Sequence, residues 1–503
     1  MNIKEAKEYM KHSVQIYLKK NEFSEYRIPI VRQRPMFLLG SPGIGKTAVM
    51  EQIAEELGVA LVSYSMTHHT RQSALGLPYI SQRVYGNQEM SVSEYTMSEI
   101  ISSVYETMEE SGMKEGILFL DEINCVSETL APAMLQFLQY KVFGRHQVPE
   151  GWVIVTAGNP PEFNKSVREF DVVTMDRLRV LEVEADYKIW REYAVEKGIH
   201  NVIINFLDLK QEFFYRIEST VKGRSYVTAR GWEDLSEILT LYEEEELSVD
   251  ETLVGQYLRN DKVVKEFTAY YDLYNKYKRD YQIQDILNGK ASEFAIQKVK
   301  KASFDERLSL LSMLLDKVLS DCKEHMQKSD VLVELSGILK AIKGQGATEI
   351  KELLESLKKR EDEKQKILHS LQKANSLSAI DRKKLLSIKT FLEEGQKELL
   401  SSECQNGQDG FNLIKDKFEK EVLTLKTRTG FIQQELHAIF DFVEKAFEEG
   451  NEMLILVTEL TVNTFSSRFI ARFGCDDYRK HNQELMISER QNTMQKEIEL
   501  LDL

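Results

Sequence analysis

The chain has 503 residues, of which 42% are hydrophobic and 29% charged, and its formal net charge is −15 at pH 7. This length is enough for about three domains with ordinary packed cores. The acidic balance counts against a general grip on nucleic acid, which needs a basic surface, although a local basic pore is compatible with it. No apolar run approaches the roughly 18 residues that a membrane-spanning helix needs, so no span is expected.

The cysteines are far apart and have no metal-ligand spacing, which favours a reducing, cytoplasmic compartment. The first twenty residues, Met1 to Lys20, are too charged for a signal peptide. They predict an amphipathic helix that packs on the edge of the domain that follows. The four cysteines are Cys125, Cys322, Cys404 and Cys475.

The segment from Gly40 to Thr47 has the pattern G-x-x-x-x-G-K-T, which is typical of loops that hold nucleotide phosphates. It lies between an apolar strand pattern and the helical pattern from Thr47 to Leu57. Its glycines let backbone N–H groups surround phosphate oxygens, and the helix N-terminus adds partial positive charge. Lys46 is expected to reach the β- and γ-phosphates, and the Thr47 hydroxyl to bind Mg²⁺. The candidate nucleotide-binding residues of this loop are Gly40, Ser41, Pro42, Gly43, Ile44, Gly45, Lys46 and Thr47.

A second strand is predicted over Val59 to Ser65, and a polar loop follows it. In this loop His68 and His69 invite a metal-binding interpretation. Neighbouring side chains point apart, however, and no third ligand is near, so a plain loop is favoured. Gly76 to Tyr95 predicts an inserted hairpin, and Thr96 to Glu110 predicts a helix.

An acidic pair, Asp121-Glu122, ends the apolar strand pattern from Ile117 to Leu120. Ligands of parallel sheets bind at the carboxyl ends of the strands, so both carboxylates should face the phosphates. Asp121 is expected to hold Mg²⁺ mostly through its water shell. Glu122 is expected to orient and polarise the attacking water.

One further amide belongs to the same predicted edge. A helix with a proline in its first turns is predicted over Ser127 to Tyr140, and a short hairpin over Lys141 to Gly151. Trp152 to Thr156 predicts another buried strand, and Asn159 follows at its carboxyl end. Its side chain could contact the γ-phosphate or the attacking water, although an asparagine before a proline is also a common turn former.

Three arginines are candidates for contact with the γ-phosphate. Arg177 and Arg179 precede the last predicted core strand, Val180 to Val183. Either arginine could reach the nucleotide of a neighbouring subunit as an arginine finger, or could simply be solvated. Arg230 opens a helix whose predicted N-cap is Thr228. A cation there opposes the helix dipole, which suggests an anionic partner such as the γ-phosphate.

These motifs resemble those of AAA+ ATPases, and they come in the same order. The inserted hairpin and the hairpin before the Asn159 strand resemble the subgroup that contains MoxR-like ATPases, magnesium-chelatase motor subunits and replicative helicases. The MoxR-like family is the most similar, notably at Gly76-Leu77-Pro78 and Ala157-Gly158-Asn159-Pro160. The motifs that carry the resemblance are Gly40 to Thr47, Asp121-Glu122, Asn159, Arg177 and Arg230.

The resemblance covers about the first half of the chain and implies an α/β core with a P-loop and a helical lid. It implies a Mg²⁺-dependent ATPase that works as a homo-oligomeric ring, usually a hexamer, with each active site between neighbours. Family members often act with a partner that carries a von Willebrand factor A-type domain, and they remodel a protein client or assist metal insertion. The sequence does not distinguish ATP from GTP.

The resemblance also assigns the expected catalytic residues, with one departure from the family pattern. The usual Asp-Arg-Phe is Asp176-Arg177-Leu178 here, so Arg179 competes with Arg177 for the role of the finger. The expected catalytic residues are Glu122, Asn159, Arg177 and Arg230.

Three domains are predicted: the nucleotide-binding core with the N-terminal helix over 1–184, a helical lid over 185–248, and an all-helical region over 249–503. The last region contains no proline. Its expected use is partner binding, ring assembly or pore control, and passive packing is the alternative.

The helical region is predicted to begin its long elements with an antiparallel hairpin. Ala347 to Ala374 forms one helix, and a capping box of Ser378 and Asp381 opens the next. Asn406 to Gly410 predicts a linker, and a long helix is predicted over Phe411 to Phe447. Two further predictions complete the region: a helix or strand over Met453 to Val457, and a polar tail over Asp476 to Leu503.

A nucleic-acid motor or a restriction-system NTPase is the alternative function, because helicases and a GTP-using restriction ATPase share this core. The net charge of −15 leads us to expect weak oligonucleotide binding with little salt dependence. Binding of labelled single-stranded and duplex oligonucleotides should therefore be measured across a salt series. Tight binding that falls steeply with salt would instead favour the nucleic-acid motor.

Overall fold

The computed structural model describes the chain except for residues 69–73, 75, 144, 164–166, 221–222, 346–348, 403, 405, 448–450 and 484–503. The chain divides into two compact units. Unit one comprises Met1–Trp190, Thr228–Arg230 and Asp362–Leu385. Unit two comprises Arg191–Val227, Gly231–Glu361 and Leu386–Leu503. The three-domain division at 184 and 248 stays a prediction.

The first 186 residues contain the strands and helices of an α/β core. The helices are α1 (Ile3–Tyr17), α2 (Lys46–Leu57), α3 (Glu99–Ser111), α4 (Ala131–Tyr140) and α5 (Val172–Asp176). The strands are β1 (Met36–Gly40), β2 (Ala60–Ser65), β3 (Pro78–Tyr85), β4 (Gln88–Tyr95), β5 (Gly116–Asp121), β6 (Val142–Phe143), β7 (His146–Gln147), β8 (Trp152–Gly158) and β9 (Arg179–Val183). Short 3₁₀ turns lie at Ile30–Arg32, Met66–His68 and Ile123–Cys125.

Five of these strands form one parallel sheet, in the order β2-β5-β8-β1-β9. The remaining strands make the two predicted hairpins, β3–β4 and β6–β7. The large helical region that follows completes the predicted fold class, an α/β core succeeded by helices, and confirms it.

The centre of the sheet is buried on both faces, as parallel strands require. Leu118 and Leu120 of β5 are fully buried and pack with Ile100 and Val104 of α3 in one apolar core. On β5 the side chains alternate between the two faces, so Phe119, which is also fully buried, faces the other layer. Because both faces of this strand are buried, its apolar residues form a continuous run. That run is the signal from which the sequence predicted the strand.

The described residues after 186 are mostly helical. The helices are α6 (Tyr187–Lys197), α7 (Asn201–Leu209), α8 (Ala229–Glu244), α9 (Glu251–Tyr257), α10 (Asp261–Asp280), α11 (Ile283–Leu287), α12 (Glu293–Lys300), α13 (Phe304–Gln345), α14 (Ile350–Lys373), α15 (Ala379–Ser401), α16 (Gly407–Phe447), α17 (Glu452–Val462) and α18 (Thr464–Phe473). A 3₁₀ turn lies at Gln211–Phe213, and the antiparallel strands β10 (Arg216–Thr220) and β11 (Gly223–Val227) pair as a hairpin. The sequence did not predict this hairpin, because its short strands are largely polar and give a weak strand signal.

The long helices of unit two meet in an apolar core. Leu335 of α13, Leu357 of α14, Ile388 of α15 and Ile414 of α16 are members of it. Gln396 of α15 donates to the Glu361 carboxylate of α14 at 2.9 Å, as expected for helices that return alongside one another. The predicted helical hairpin is confirmed, and the Met453 to Val457 pattern lies within a helix, α17.

The predicted linker over Asn406 to Gly410 is wrong, because α16 begins at Gly407. Asn406 accepts from the Asp409 amide at 2.8 Å and so caps this helix. A Cβ on Gly410 would lie 2.9 Å from a methyl carbon of Leu399 and 3.1 Å from one of Leu353. The glycine is therefore explained by close helix packing, whereas the sequence pattern suggested flexibility.

Other predictions on this part of the chain have simple outcomes. Ser378 accepts from the Asp381 amide at 2.9 Å, which is one of the two bonds of the predicted capping box, and its hydroxyl donates to the Asp381 carboxylate at 2.9 Å. The end of the polar tail, 484–503, lies outside the described residues. Among the residues that are described, we find no helix with the length and hydrophobicity needed to cross a bilayer.

Candidate functional site

The parallel sheet brings the predicted site residues to one edge. Ser65 at the end of β2 is in register with Asp121 at the end of β5. Leu39 of β1 is likewise in register with Gly158 of β8, one residue before Asn159. Residues at the carboxyl ends of neighbouring parallel strands share an edge, so the loop after Gly40 lies beside both the acidic pair and the amide.

Two glycines of the phosphate loop adopt backbone conformations that residues with a side chain rarely take. Gly43 and Gly45 have φ values of 74° and 90°, in the left-handed region that favours glycine. A Cβ on Gly43 would also lie 2.9 Å from the Thr228 side chain, so the start of α8 closes directly over the loop. The Arg230 amide donates to the Gly43 carbonyl at 3.3 Å, which fixes the same approach.

Lys46, the first residue of α2, is 92% buried and lies at the centre of the edge. Its Nζ donates to the carbonyls of Gly40 and Ser41, at 2.7 and 2.9 Å, and to Oδ1 of Asn159 at 2.8 Å. The pKa of Lys46 is lowered to about 8, chiefly by burial; Asp121 and Glu122 oppose this lowering, and the charge of Arg230 adds to it. A cation held by neutral acceptors in a desolvated place is well suited to meet an incoming phosphate.

The next residue, Thr47, meets the acidic strand end. Its Oγ1 donates to Oδ2 of Asp121 at 3.1 Å, and Oδ1 of Asp121 accepts from the Glu122 amide at 2.9 Å. A hydroxyl and a carboxylate are the hard oxygen donors that Mg²⁺ prefers, so the pair fits a magnesium ion. Such an ion would neutralise phosphate charge in the neighbouring loop.

Glu122 has an unusual backbone and an unpredicted partner. Its φ is 55°, a left-handed conformation that is uncommon outside glycine and occurs often at functional sites. Its Oε2 accepts from the Ser65 hydroxyl at 3.1 Å. Sequence reasoning missed Ser65, although a polar residue at the end of the predicted β2 strand could have been assigned to this edge.

Asn159 also has a partner that the sequence did not reveal. The side-chain amide of Asn124 donates to the Asn159 carbonyl at 2.8 Å, and Asn124 is almost fully buried. With Lys46 bound to its Oδ1, Asn159 is held from both ends. No local pattern pointed to Asn124, because it lies in a short 3₁₀ turn after the acidic pair.

Arg177 and Arg179 lie away from this edge, and both are exposed. Arg179 opens β9 in register with Met36, the first residue of β1, whereas Gly40 at the end of β1 is in register with Val183. Four residue steps along a strand separate the two ends by roughly 13 Å. The structure brings Arg230 near Lys46. Arg177 and Arg179 instead lie at the amino ends of the strands, opposite to the carboxyl ends that carry the site.

The structure gives no support for a metal site at the two adjacent histidines. His69 lies outside the described residues. In the parts of the chain that are described, no three His, Cys, Asp or Glu side chains gather closely enough to hold a metal ion.

A parallel sheet with a phosphate loop, an acidic strand end and an exposed arginine on the far edge defines a nucleotide-binding ATPase core. Residues 35–178, less than a third of the chain, match the family described as AAA domain (dynein-related subfamily). The chain therefore contains an AAA domain of this subfamily, which includes the MoxR-like ATPases. Such a domain implies nucleotide binding and ATPase activity in general. No curated protein matches the chain.

The pKa of Lys46 gives a testable proton linkage. At pH 9 a group with a pKa of about 8 is mostly neutral, and triphosphate binding should recharge it. We expect an uptake approaching one proton per ATP at pH 9 and little uptake at pH 7. Isothermal titration calorimetry in buffers of different ionisation enthalpy measures this number.

The matched control for this linkage is Lys46→Arg, which keeps a charge that cannot be removed near pH 9. Its ATP binding should take up almost no proton at pH 9. The same uptake in both proteins would show that another group titrates.

Proposed function

We propose that this protein is a Mg²⁺-dependent ATPase motor of MoxR type that works as a ring and remodels a protein client. The observation that supports it best is the convergence of Lys46, Asp121, Glu122 and Asn159 at one sheet edge. These residue types supply phosphate binding, metal binding and water activation together, which a simple nucleotide-binding scaffold does not need.

In this proposal the loop from Gly40 to Thr47 binds the triphosphate through its backbone amides and Lys46. Thr47 and Asp121 hold the magnesium ion, which supplies charge neutralisation on the phosphates. The Glu122 amide donates to Oδ1 of Asp121 at 2.9 Å and so orients this carboxylate. Its second oxygen is thereby left directed towards Thr47.

Glu122 is proposed to accept a proton from the attacking water as that water bonds to the γ-phosphorus. The bond from the γ-phosphorus to the β–γ bridging oxygen breaks, and ADP and inorganic phosphate are the products. Before this step Glu122 is held by Ser65, and Asn159 is held by Lys46. An incoming γ-phosphate would compete with Asn159 for the lysine, which frees the amide to orient the water. Arg230, beside Lys46, would then contact the γ-phosphate from the lid side.

The arginine finger is proposed to come from a neighbouring subunit. Arg177 and Arg179 are exposed on the edge of the sheet opposite to their own phosphate loop, which supports an action on a second copy. Hydrogen bonds from Thr174 hold the pKa of Asp171 below its usual value, and the charge of Arg177 adds a smaller lowering. Arg177 is the assigned finger and Arg179 the competitor, and the ring is proposed to be a hexamer.

The client and partner proposals rest on the resemblance to MoxR-like proteins and on the exposed hairpin β3–β4. On one face of this hairpin the side chains of Ile80 and Val84 are 77% and 63% exposed. Exposed apolar side chains on one face of a hairpin favour contact with another protein. We propose a protein client and a partner with a von Willebrand factor A-type domain. The four free cysteines support the cytoplasm as the place of action.

Replacing Glu122 with Gln tests the hydrolytic role. Removing the carboxylate base should lower kcat by at least about a hundredfold, whereas the affinity for ATP should stay within a few-fold. Steady-state phosphate release and equilibrium binding of a fluorescent ATP analogue measure the two quantities. Turnover at the wild-type rate would remove Glu122 from this role.

The shared active site is tested by mixing two inactive variants. Arg177→Ala and Glu122→Gln should each be nearly inactive alone. In a mixed ring some sites combine an intact Glu122 with an intact Arg177, so mixing should restore part of the ATPase activity. Arg179→Ala is the matched control and should retain activity. Mixtures as inactive as the separate variants would argue against a finger supplied by a neighbour.

A further inference from the structure

A segment remote in sequence belongs to unit one: the hairpin tip, Asp362–Leu385, where α14 ends and α15 begins. Ala374 in this tip is fully buried and is a member of the apolar core of the AAA domain. The tip therefore packs against the AAA domain, although Asn375 of the tip is 314 residues from Leu61 of β2 along the chain.

The tip satisfies both backbone groups of one residue on the edge strand β2. The Leu61 amide donates to the Ala374 carbonyl at 2.8 Å. The side-chain amide of Asn375 donates to the Leu61 carbonyl at 3.2 Å. Because β2 is the outermost strand of the sheet, its outer backbone groups have no neighbouring strand to bind, and the tip takes that place.

Asn375 can make this contact because the chain turns sharply at this residue. Its φ is 50°, a left-handed conformation that asparagine tolerates better than most residues. The amide of Ser376 donates back to the Leu371 carbonyl at 3.1 Å and closes the end of α14. The Asn375 side chain is thereby held on the strand by the helix end.

The tip also contacts the two helices that flank β2. Ser370 donates to the Ser111 carbonyl at the end of α3. The Ser378 hydroxyl hydrogen-bonds to Glu55 of α2, the helix that begins with Lys46. Burial raises the pKa of Glu55, while this hydrogen bond opposes the shift. The tip thus contacts the far end of α2, the helix whose first residue is Lys46.

The strand that the tip contacts, β2, also carries a residue that hydrogen-bonds to the candidate catalytic carboxylate of Glu122. Four residues after Leu61, the same strand ends at Ser65, whose hydroxyl donates to Glu122 at 3.1 Å. Leu61 and Ser65 belong to one strand that pairs with β5 without interruption, so a shift of this strand at Leu61 would also move Ser65. Positions of catalytic groups matter at the level of about 1 Å.

We propose that the hairpin tip is a positioning element of the hydrolytic site, and that Asn375 is its positioning residue. By holding β2 at Leu61, it sets where Ser65 presents its hydroxyl to Glu122. The inference rests on the proposed role of Glu122 in ATP hydrolysis. It gives the long helical hairpin a defined effect on turnover, in place of passive packing.

The test is Asn375→Gly, measured in the full-length protein. Glycine adopts the left-handed turn without strain, so the variant removes only the side-chain amide. We expect kcat to fall three- to tenfold with KM for ATP changed less than twofold, and the Leu61 amide to exchange faster with deuterium. Asn375→Asp, which keeps the shape but loses the donor, should behave alike and replaces the glycine variant should that fail to fold.

Two further variants separate positioning from simple packing. Lys373→Ala removes only an exposed ion pair with Glu110, 3.0 Å apart, and should leave kcat unchanged. Ser65→Ala should lower kcat, and adding Asn375→Gly to it should lower kcat no further, because both act through one path. A merely structural role would lower the melting temperature of Asn375→Gly and leave its kcat intact, or would add to the effect of Ser65→Ala.

The result that overturns this inference differs from the one that overturns the proposed function. If wild-type turnover depends on Glu122 but Asn375→Gly and Asn375→Asp keep the wild-type kcat, only the positioning role is lost. If Glu122→Gln turns over ATP like the wild type, the hydrolytic role fails, and the positioning role fails with it.

Discussion

The direction of five parallel strands is the constraint on which the candidate site depends. Because all five run the same way, the ends of β1, β2, β5 and β8 meet at one edge, and the start of β9 lies at the other. The same register that gathers Lys46, Asp121 and Asn159 therefore keeps Arg179 roughly 13 Å from its own phosphate loop. A sheet of mixed direction would scatter these groups, and the proposed sharing of the active site between two subunits would lose its geometric basis.

Much of the core could be predicted because its signals are local. The apolar run before Asp121 and the glycine pattern before Lys46 each specify an element and its neighbours within about ten residues. The helical hairpin of the second half was predicted from periodicity for the same reason. What the predictions lacked were partners: Asn124 donates to Asn159, and Ser65 donates to Glu122. The end of the β2 pattern indicates the edge on which Ser65 lies but not its partner, and no local pattern indicates Asn124.

The wrong linker prediction has a related cause. Glycine and asparagine in a row are typical of flexible segments, but the same residues serve where a helix starts under a cap and another helix approaches closely. Gly410 has two leucine side chains within 3.1 Å of the place a Cβ would take, and only the folded neighbours reveal this. In the same way, the contact of Ala374 and Asn375 with Leu61 joins positions more than 300 residues apart.

The covered edge of β2 has a consequence for how the AAA domain behaves when separated from the rest of the chain. An exposed edge strand is a template on which other chains can add as further strands, and natural sheets usually shield such edges. Here the shield at Leu61 is built from Ala374 and Asn375, which a fragment ending near residue 248 would lack. Such a fragment keeps every residue of the phosphate loop but exposes the outer edge of β2, where other copies can associate. The solubility of the AAA domain therefore depends on residues that the fragment does not contain.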